Sequence, residues 1–219
     1  MDLYKAFIFS YLARAFAYPT KILIDILLDG LEDLEICLNK LNIDFGIKSF
    51  KQIITKLDLA SLQADYTKLF LLALLAPMSE TSYEIDKTSR RAYELADVSG
   101  FYKAFGVEPN TGVEPDNLQI ELEFLSILLQ KKILLEDENN KDGVEICEKA
   151  YYEFLQDHLG RWYDLFVKLI NEHSDEEFYK VLANLLKAFI DIETKDMKIY
   201  KLFTYKEETL KGNSWACST

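Results

Sequence analysis

Asp116-Asn117-Leu118-Gln119-Ile120-Glu121-Leu122-Glu123-Phe124-Leu125-Ser126-Ile127-Leu128-Leu129-Gln130 is the stretch on which the fold turns. Wound as an α-helix at about 3.6 residues per turn, it gathers Gln119, Glu123, Ser126 and Gln130 into one narrow polar stripe and fills nearly all the rest with Leu, Ile and Phe124. A helix that is apolar over most of its circumference belongs in the middle of a bundle, so the spacing predicts a central, mostly buried helix of about five turns opening at Asp116. Glu121 and Glu123 point about 200° apart on such a helix and must play different parts. Glu121 falls inside the apolar arc beside Leu118, Leu125 and Leu128, where an unpaired carboxylate is costly. It either takes an internal partner, Arg90, Arg91 or a tyrosine hydroxyl, or waits for a basic ligand. Asp116 is a preferred helix cap with Gln119 at the capping-box position, and a cap can leave one carboxylate oxygen free for a second role.

Outward from this helix the pattern stays helical. Residues 2–18 form an amphipathic first helix capped by Asp2 and stopped by Pro19; Thr20 caps a second that ends near Gly30, and a third covers residues 31–41. A short helix starts at Ser49, and Asp58 caps a longer one reaching about Ala76. The Pro77–Ser82 segment breaks the pattern as a loop, a helix runs over residues 84–105, and residues 106–115 form a second loop. Helical spacing resumes over 143–157 and 161–172, and Ser174 with Glu177 reads as a capping box for a last helix to about Ile192. The expectation is an all-α, single-domain bundle of roughly nine to ten helices. Residues 1–76 would form an N-terminal layer, 84–192 a C-terminal layer and 193–219 a tail.

Composition narrows the function. The 219 residues are 49% hydrophobic, enough for a sizeable core, with only eight glycines and four prolines to interrupt helices. A net charge of -12 opposes binding to nucleic acid or anionic membrane and favours basic peptides, or else serves only solubility. Cys37, Cys147 and Cys217 are scattered, which suggests neither a zinc site nor disulfides and fits a reducing, cytoplasmic compartment. The most apolar internal stretch, residues 69–78, is about half of what a bilayer needs, so no stable membrane insertion is expected.

No phosphate-binding loop, dinucleotide fingerprint, nucleophile elbow or H-E-x-x-H motif is present in the sequence. His158 and His173 lack companion ligands and read as helix-end or surface residues, so no metal and no cofactor are expected. The aromatic set Tyr66, Phe70, Tyr83, Tyr93, Phe101, Tyr102 and Phe105 borders both loops; most of it is core, but it also marks the natural place for a peptide groove.

The run Glu114-Pro115-Asp116-Asn117-Leu118-Gln119-Ile120-Glu121-Leu122-Glu123-Phe124-Leu125 resembles the E-P-D-H-L-x-x-E-L-E-F-M signature of the TorD/DmsD family of redox-enzyme maturation chaperones. Asp65-Tyr66-Thr67-Lys68-Leu69-Phe70 is similar to the family's Y-x-x-L-F segment, with Pro77, Ser79 and Tyr83 following in the loop and Tyr102–Gly106 before the next one. His158-Leu159-Gly160-Arg161-Trp162 with Phe166 is similar to H-L-x-x-W-x-x-x-F, so the resemblance runs over residues 65–166.

The resemblance implies an all-helical, non-catalytic chaperone, monomeric or dimeric, that holds the twin-arginine signal peptide and apoprotein of a molybdopterin oxidoreductase until its cofactor is inserted. Carried over by position, Tyr66, Leu69, Phe70 and Pro77 would line the apolar part of a peptide site. Asp116 would meet the basic part, with Ser79, Tyr83, Pro115, Asn117, Leu118, Glu121 and Glu123 around it. Asn117 stands where the family pattern has His, which removes imidazole chemistry there. Some members are associated with guanine nucleotide near this motif, and Asn117 together with the missing phosphate loop speaks against it here. The alternatives are a nucleotide- or metal-dependent enzyme using Asp116 and Glu121, and a plain helical scaffold.

Overall fold

The computed structural model describes residues 1–83, 89–109 and 112–202. Ten α-helices occur among them: α1 (Asp2–Ala15), α2 (Lys21–Asp29), α3 (Leu31–Lys40), α4 (Ile47–Thr55), α5 (Leu59–Tyr66), α6 (Ser89–Ala104), α7 (Leu118–Asp137), α8 (Lys141–Phe154), α9 (Gly160–His173) and α10 (Glu177–Thr194). The only pairing of extended backbone among the described residues is an isolated antiparallel bridge between Ser79 and Asn117. The expected start of α6 at 84, and the tail beyond 202 with Cys217, lie outside the described residues.

The centre is a pair of helices. α7 packs along α1 and, on its other side, along α8, while α1 also touches α2, α3 and α10. The first helix is therefore not amphipathic as expected, because Ile8, Phe9, Tyr11, Leu12 and Ala15 are buried on several of its faces. The polar stripe of α7 is not a simple solvated face either. Ser126 is buried and donates to the Ala6 carbonyl at 2.8 Å, and Gln119 Nε2 donates to the Phe16 carbonyl at 3.1 Å. Both bonds join α7 to the backbone of α1 and its exit, which lets a polar residue sit in a helix interface without an unsatisfied group. Glu123 of the same stripe is exposed.

Thr20 caps α2 by accepting from Leu23 N, and Asp58 caps α5 by accepting from Ala60 N and Ser61 N. Other ends differ from the expected ones. Asp2 lies in the first turn rather than at the cap and pairs with Lys132 at 3.1 Å. α5 does not run to Ala76: it passes into a π-helical turn, Thr67–Leu72, after which Leu74 adopts a φ of 49°. A second π-turn, Leu155–Leu159, joins α8 directly to α9 where a break was expected. Gly160 is required there, because a Cβ would stand 2.2 Å from the Leu155 carbonyl oxygen and 2.8 Å from Ile199 Cδ1.

Ser174 does not cap α10, whose first residue follows Glu176. Instead the buried Asp65 of α5 accepts from Ser174 Oγ at 2.6 Å and from the amides of Asp175 and Glu176 at 3.2 Å each. A carboxylate on one helix thus ties down the connection that leads into another, which local sequence spacing cannot reveal.

Candidate functional site

The loop after α5 and the entrance to α7 close on one another. Leu118 N donates to the Met78 carbonyl at 2.7 Å and Glu80 N to the Asp116 carbonyl at 3.1 Å, the two bonds flanking the Ser79–Asn117 bridge. Tyr83 donates its hydroxyl back to the Pro77 carbonyl at 2.7 Å, so residues 77–83 form a self-braced strap across the start of α7. On the other side Tyr102 of α6 donates to the Pro115 carbonyl at 2.7 Å.

Asp116 and Asn117 divide the work expected of Asp116 alone. Asn117 is the cap, with its Oδ1 accepting from Gln119 N at 2.9 Å. Asp116 is fully buried and turned to the strap, its Oδ2 accepting from both the amide (2.9 Å) and the hydroxyl (2.7 Å) of Thr81. Its Oδ1 has no hydrogen-bond partner. In this arrangement a basic group reaches Asp116 only when the strap lifts.

Glu121 is buried one turn further along α7. Its Oε2 accepts from the indole of Trp162 at 3.2 Å, a partner that the expectation of Arg90, Arg91 or a tyrosine did not include, and its Oε1 is unpartnered. Burial, reinforced by repulsion from Glu80 and Asp116, holds this carboxyl well above the usual carboxylate range and so favours its neutral acid. Arg91 pairs with the exposed Glu114, and Arg90 bonds Glu94.

Under the strap lies a second polar group that the sequence did not disclose. Glu80 is buried, with Oε2 3.0 Å from His158 Nδ1 and Oε1 accepting from Arg161 at 3.1 Å; Arg161 also reaches Glu94 at 3.4 Å. His158 is therefore neither a surface nor a helix-end residue: it is fully buried within the π-turn between α8 and α9. Burial pushes the Glu80 carboxyl upward against the opposing pull of His158 and Arg161. Glu80, Glu94 and His158 offer ligand atoms within 4.8 Å of one another, a spacing that could hold a metal ion. The Arg161 guanidinium contacts both carboxylates and Arg90 pairs with Glu94, so two guanidinium groups face the two carboxylates in an internal ion network. The spacing H-L-G-R-W carries this signal in sequence, since i, i+3 and i+4 share a helix face, but nothing local marks Glu80 as the partner of His158 and Arg161 or Glu121 as that of Trp162.

The residues expected to line an apolar pocket are buried. Tyr66, Leu69 and Phe70 belong to the core, in a chain of ring contacts from Tyr18 through Tyr66, Phe70, Phe166 and Trp162 to Tyr83. Pro77 and Leu118 are likewise buried; Ser79, Pro115 and Asn117 are half-buried, and Glu123 is exposed. Of the aromatic set, Tyr93 is exposed and Phe101 and Phe105 pack against the core. Beside the strap the apolar side chains offered to solvent are instead those at the end of the π-turn and just past it: Leu71, Leu72 and Leu74 are 54%, 79% and 45% exposed. Leu72 and Ala73 continue into an open groove of about 530 Å³ shared with Tyr18, Ala64 and Thr67. No helix among the described residues is long and apolar enough to cross a membrane.

Comparison with known proteins agrees with this architecture. The profile of the nitrate reductase delta subunit family matches residues 40–168, which include the strap, the start of α7 and the His158–Trp162 run. The perchlorate reductase assembly chaperone protein of Dechloromonas aromatica is 29% identical over 171 residues, covering 75% of this chain and 74% of that one. In three dimensions the chain resembles a redox enzyme maturation protein from Archaeoglobus fulgidus, with a TM-score of 0.53 at 19% identity over 86% of this chain and 93% of the other. That likeness concerns the fold. With more than half of its length matched by the profile, the chain belongs to the nitrate reductase delta subunit family, the TorD-like group of redox-enzyme maturation chaperones.

Proposed function

We propose that this protein is a cytoplasmic, non-catalytic assembly chaperone that captures the twin-arginine signal peptide and apoprotein of a molybdopterin oxidoreductase before export. The observation that carries the reading is the juxtaposition at the strap. Leu71, Leu72 and Leu74 stand exposed before it, and the sealed carboxylates of Asp116 and Glu121 lie behind it. A twin-arginine signal is a basic segment followed by an apolar one. The exposed leucines suit the apolar part, and buried carboxylates with an unpartnered oxygen suit a guanidinium once uncovered. A net charge of -12 steers a basic partner toward the protein. Family membership and the name of the perchlorate reductase chaperone support the same class of client.

Calorimetric titration with synthetic signal peptides of the host's molybdopterin oxidoreductases tests this. Saturable binding that weakens when both arginines become alanine, and again with Leu72→Asp, is the expected result. Absence of binding to every such peptide and to the corresponding apoproteins would overturn the proposal.

A further inference from the structure

Residues 71–76 read Leu-Leu-Ala-Leu-Leu-Ala, a run of good helix formers that follows α5, yet the chain leaves the helical path within it. Three unfavourable features coincide in this turn. Thr67–Leu72 is a π-turn, Leu74 has a φ of 49°, and Leu71, Leu72 and Leu74 face solvent. For a residue with a branched side chain the left-handed region is disfavoured by roughly tenfold in population. Such a conflict between local preference and observed path persists only where the surroundings impose it.

The constraint lies downstream. Ala76 N donates to the Leu69 carbonyl, and beyond Pro77 the strap is bolted to α7 by the Leu118–Met78 and Glu80–Asp116 backbone bonds and the Thr81 bonds to Asp116. Glu80 is held further by His158 and Arg161. Ala73 already has helical dihedrals and the Ala76 amide is folded back onto the Leu69 carbonyl, whereas a continued helix, rising about 1.5 Å per residue, carries that amide roughly 4–5 Å further along the axis and takes the strap with it. No hydrogen bond survives a displacement of that size. Winding and strap docking therefore exclude each other.

We infer that residues 71–76 are a helix-completing switch, held unwound by the docked strap, and that seating of a client's apolar segment winds it and lifts residues 77–83 off Asp116. The trigger rests on the client-capture reading above; the mechanical exclusion does not. Winding places Leu71, Leu74 and Leu75 on one face at i, i+3 and i+4, a stripe that the unwound turn lacks. That difference supplies the unequal affinity for two states without which no ligand shifts an equilibrium. Pro77 sets the limit, since the residue before a proline avoids the helical region and winding stops at Leu75. The lifted strap opens Asp116 and Glu121, whose Oδ1 and Oε1 lack partners in the docked state, to a basic group of the same client.

Hydrogen exchange followed by NMR tests the switch in the full chain, with the Leu125 amide in the core as the reference for global unfolding. Leu74→Gly removes the left-handed penalty and lowers helix propensity, so exchange at the Glu80 and Leu118 amides slows by roughly tenfold. Leu74→Ala keeps the penalty and the propensity, so both amides stay within about twofold of wild type. Equal exchange in all three proteins overturns the coupling. With a saturating synthetic peptide carrying Arg-Arg followed by a leucine-rich stretch, the Leu74 and Leu75 amides gain protection while Glu80 and Leu118 lose it. A bound peptide that leaves the strap amides protected overturns the trigger. A peptide that does not bind counts against the proposed function, and the Gly-versus-Ala comparison still decides the switch.

Discussion

Replacing Asp65 by alanine strikes the junction between α5 and the connection that leads into α10. The carboxylate is buried on α5 and accepts from Ser174 Oγ, Asp175 N and Glu176 N, with Lys68 Nζ 2.9 Å away. Hydrogen bonds to a charged acceptor contribute about 1.5–3 kcal/mol each, but not all of that is lost here. Ser174 Oγ retains the Glu176 carbonyl at 3.0 Å, and Asp175 is exposed, so its amide can turn to water. Leaving the buried Ser174 hydroxyl and the half-buried Glu176 amide short of this acceptor costs about 1–1.5 kcal/mol each. The expected loss for Asp65→Ala is about 2–3 kcal/mol, a fall in Tm of roughly 5–10 °C for a chain of this size. Asp65→Asn keeps one acceptor oxygen in the same place and should lose about half as much.

The pH dependence of that loss separates charge from packing. Burial pushes the Asp65 carboxyl upward, but the bonds from Ser174, Lys68 and the two amides outweigh it and hold the group below the usual carboxylate range. A carboxyl depressed in the folded state contributes stability above its unfolded value of about 3.9 and loses it as pH falls through the folded value. The gap between wild type and Asp65→Asn, measured by urea unfolding between about pH 7 and pH 3, should therefore close on the acid side. An Asp65→Ala protein within about 0.5 kcal/mol of wild type, or a gap to Asn that widens as the pH drops, would refute this account of the α5–α10 junction.

Gly160→Ala forces a methyl onto the Leu155 carbonyl, which is backbone and cannot step aside, so a loss of about 3 kcal/mol or more is expected in thermal or urea unfolding. Near wild-type stability would mean that the α8–α9 π-turn is not built around this glycine. Glu121→Gln acts in the opposite direction. Because the Glu121 carboxyl is raised, the folded state holds its proton longer than the unfolded chain, and wild-type stability falls as pH climbs above about 4.3. The glutamine protein should be the more stable at pH 8 by an amount that shrinks toward pH 4, and a less stable variant at pH 8 would contradict the sign. Asn117→Ala removes the α7 cap and should cost about 1 kcal/mol, whereas Asn117→Asp, which can still accept from Gln119 N, should cost less. Leu72→Asp, at a residue 79% exposed, should leave Tm unchanged while weakening signal-peptide binding by about tenfold or more in calorimetry.

Fold class was open to reading because helical periodicity is a local property. The α7 run showed its apolar circumference without any partner in view, and Thr20 and Asp58 announced their caps through spacing alone. The misreadings share one cause. Ser174 looked like a cap because a capping box is recognised within four residues, but the acceptor that fills its place, Asp65, lies 109 positions away. Asp116 looked like the cap for the same reason, while its neighbour Asn117 took that role and the strap's Thr81 took Asp116. Burial is hidden in the same way: Tyr66 and Phe70 stand near a loop in sequence, and an aromatic residue there reads alike whether it faces solvent or, as Phe70 does, Phe166.

By itself the sequence determined an acidic, all-helical chain with a buried α7, a break at Pro77 and a family signature, since these depend on composition, period and short-range order. Only the tertiary structure decided which carboxylates are sealed, that His158 and Arg161 meet Glu80, and that the leucines after α5 face outward. Those facts depend on contacts between residues far apart in the chain, where a single burial or bond can reverse what local propensity prefers. The unwound 71–76 turn shows this most directly: every residue in it favours helix, and the bonds that deny it one are made by Met78, Glu80 and Thr81 on the far side of a proline.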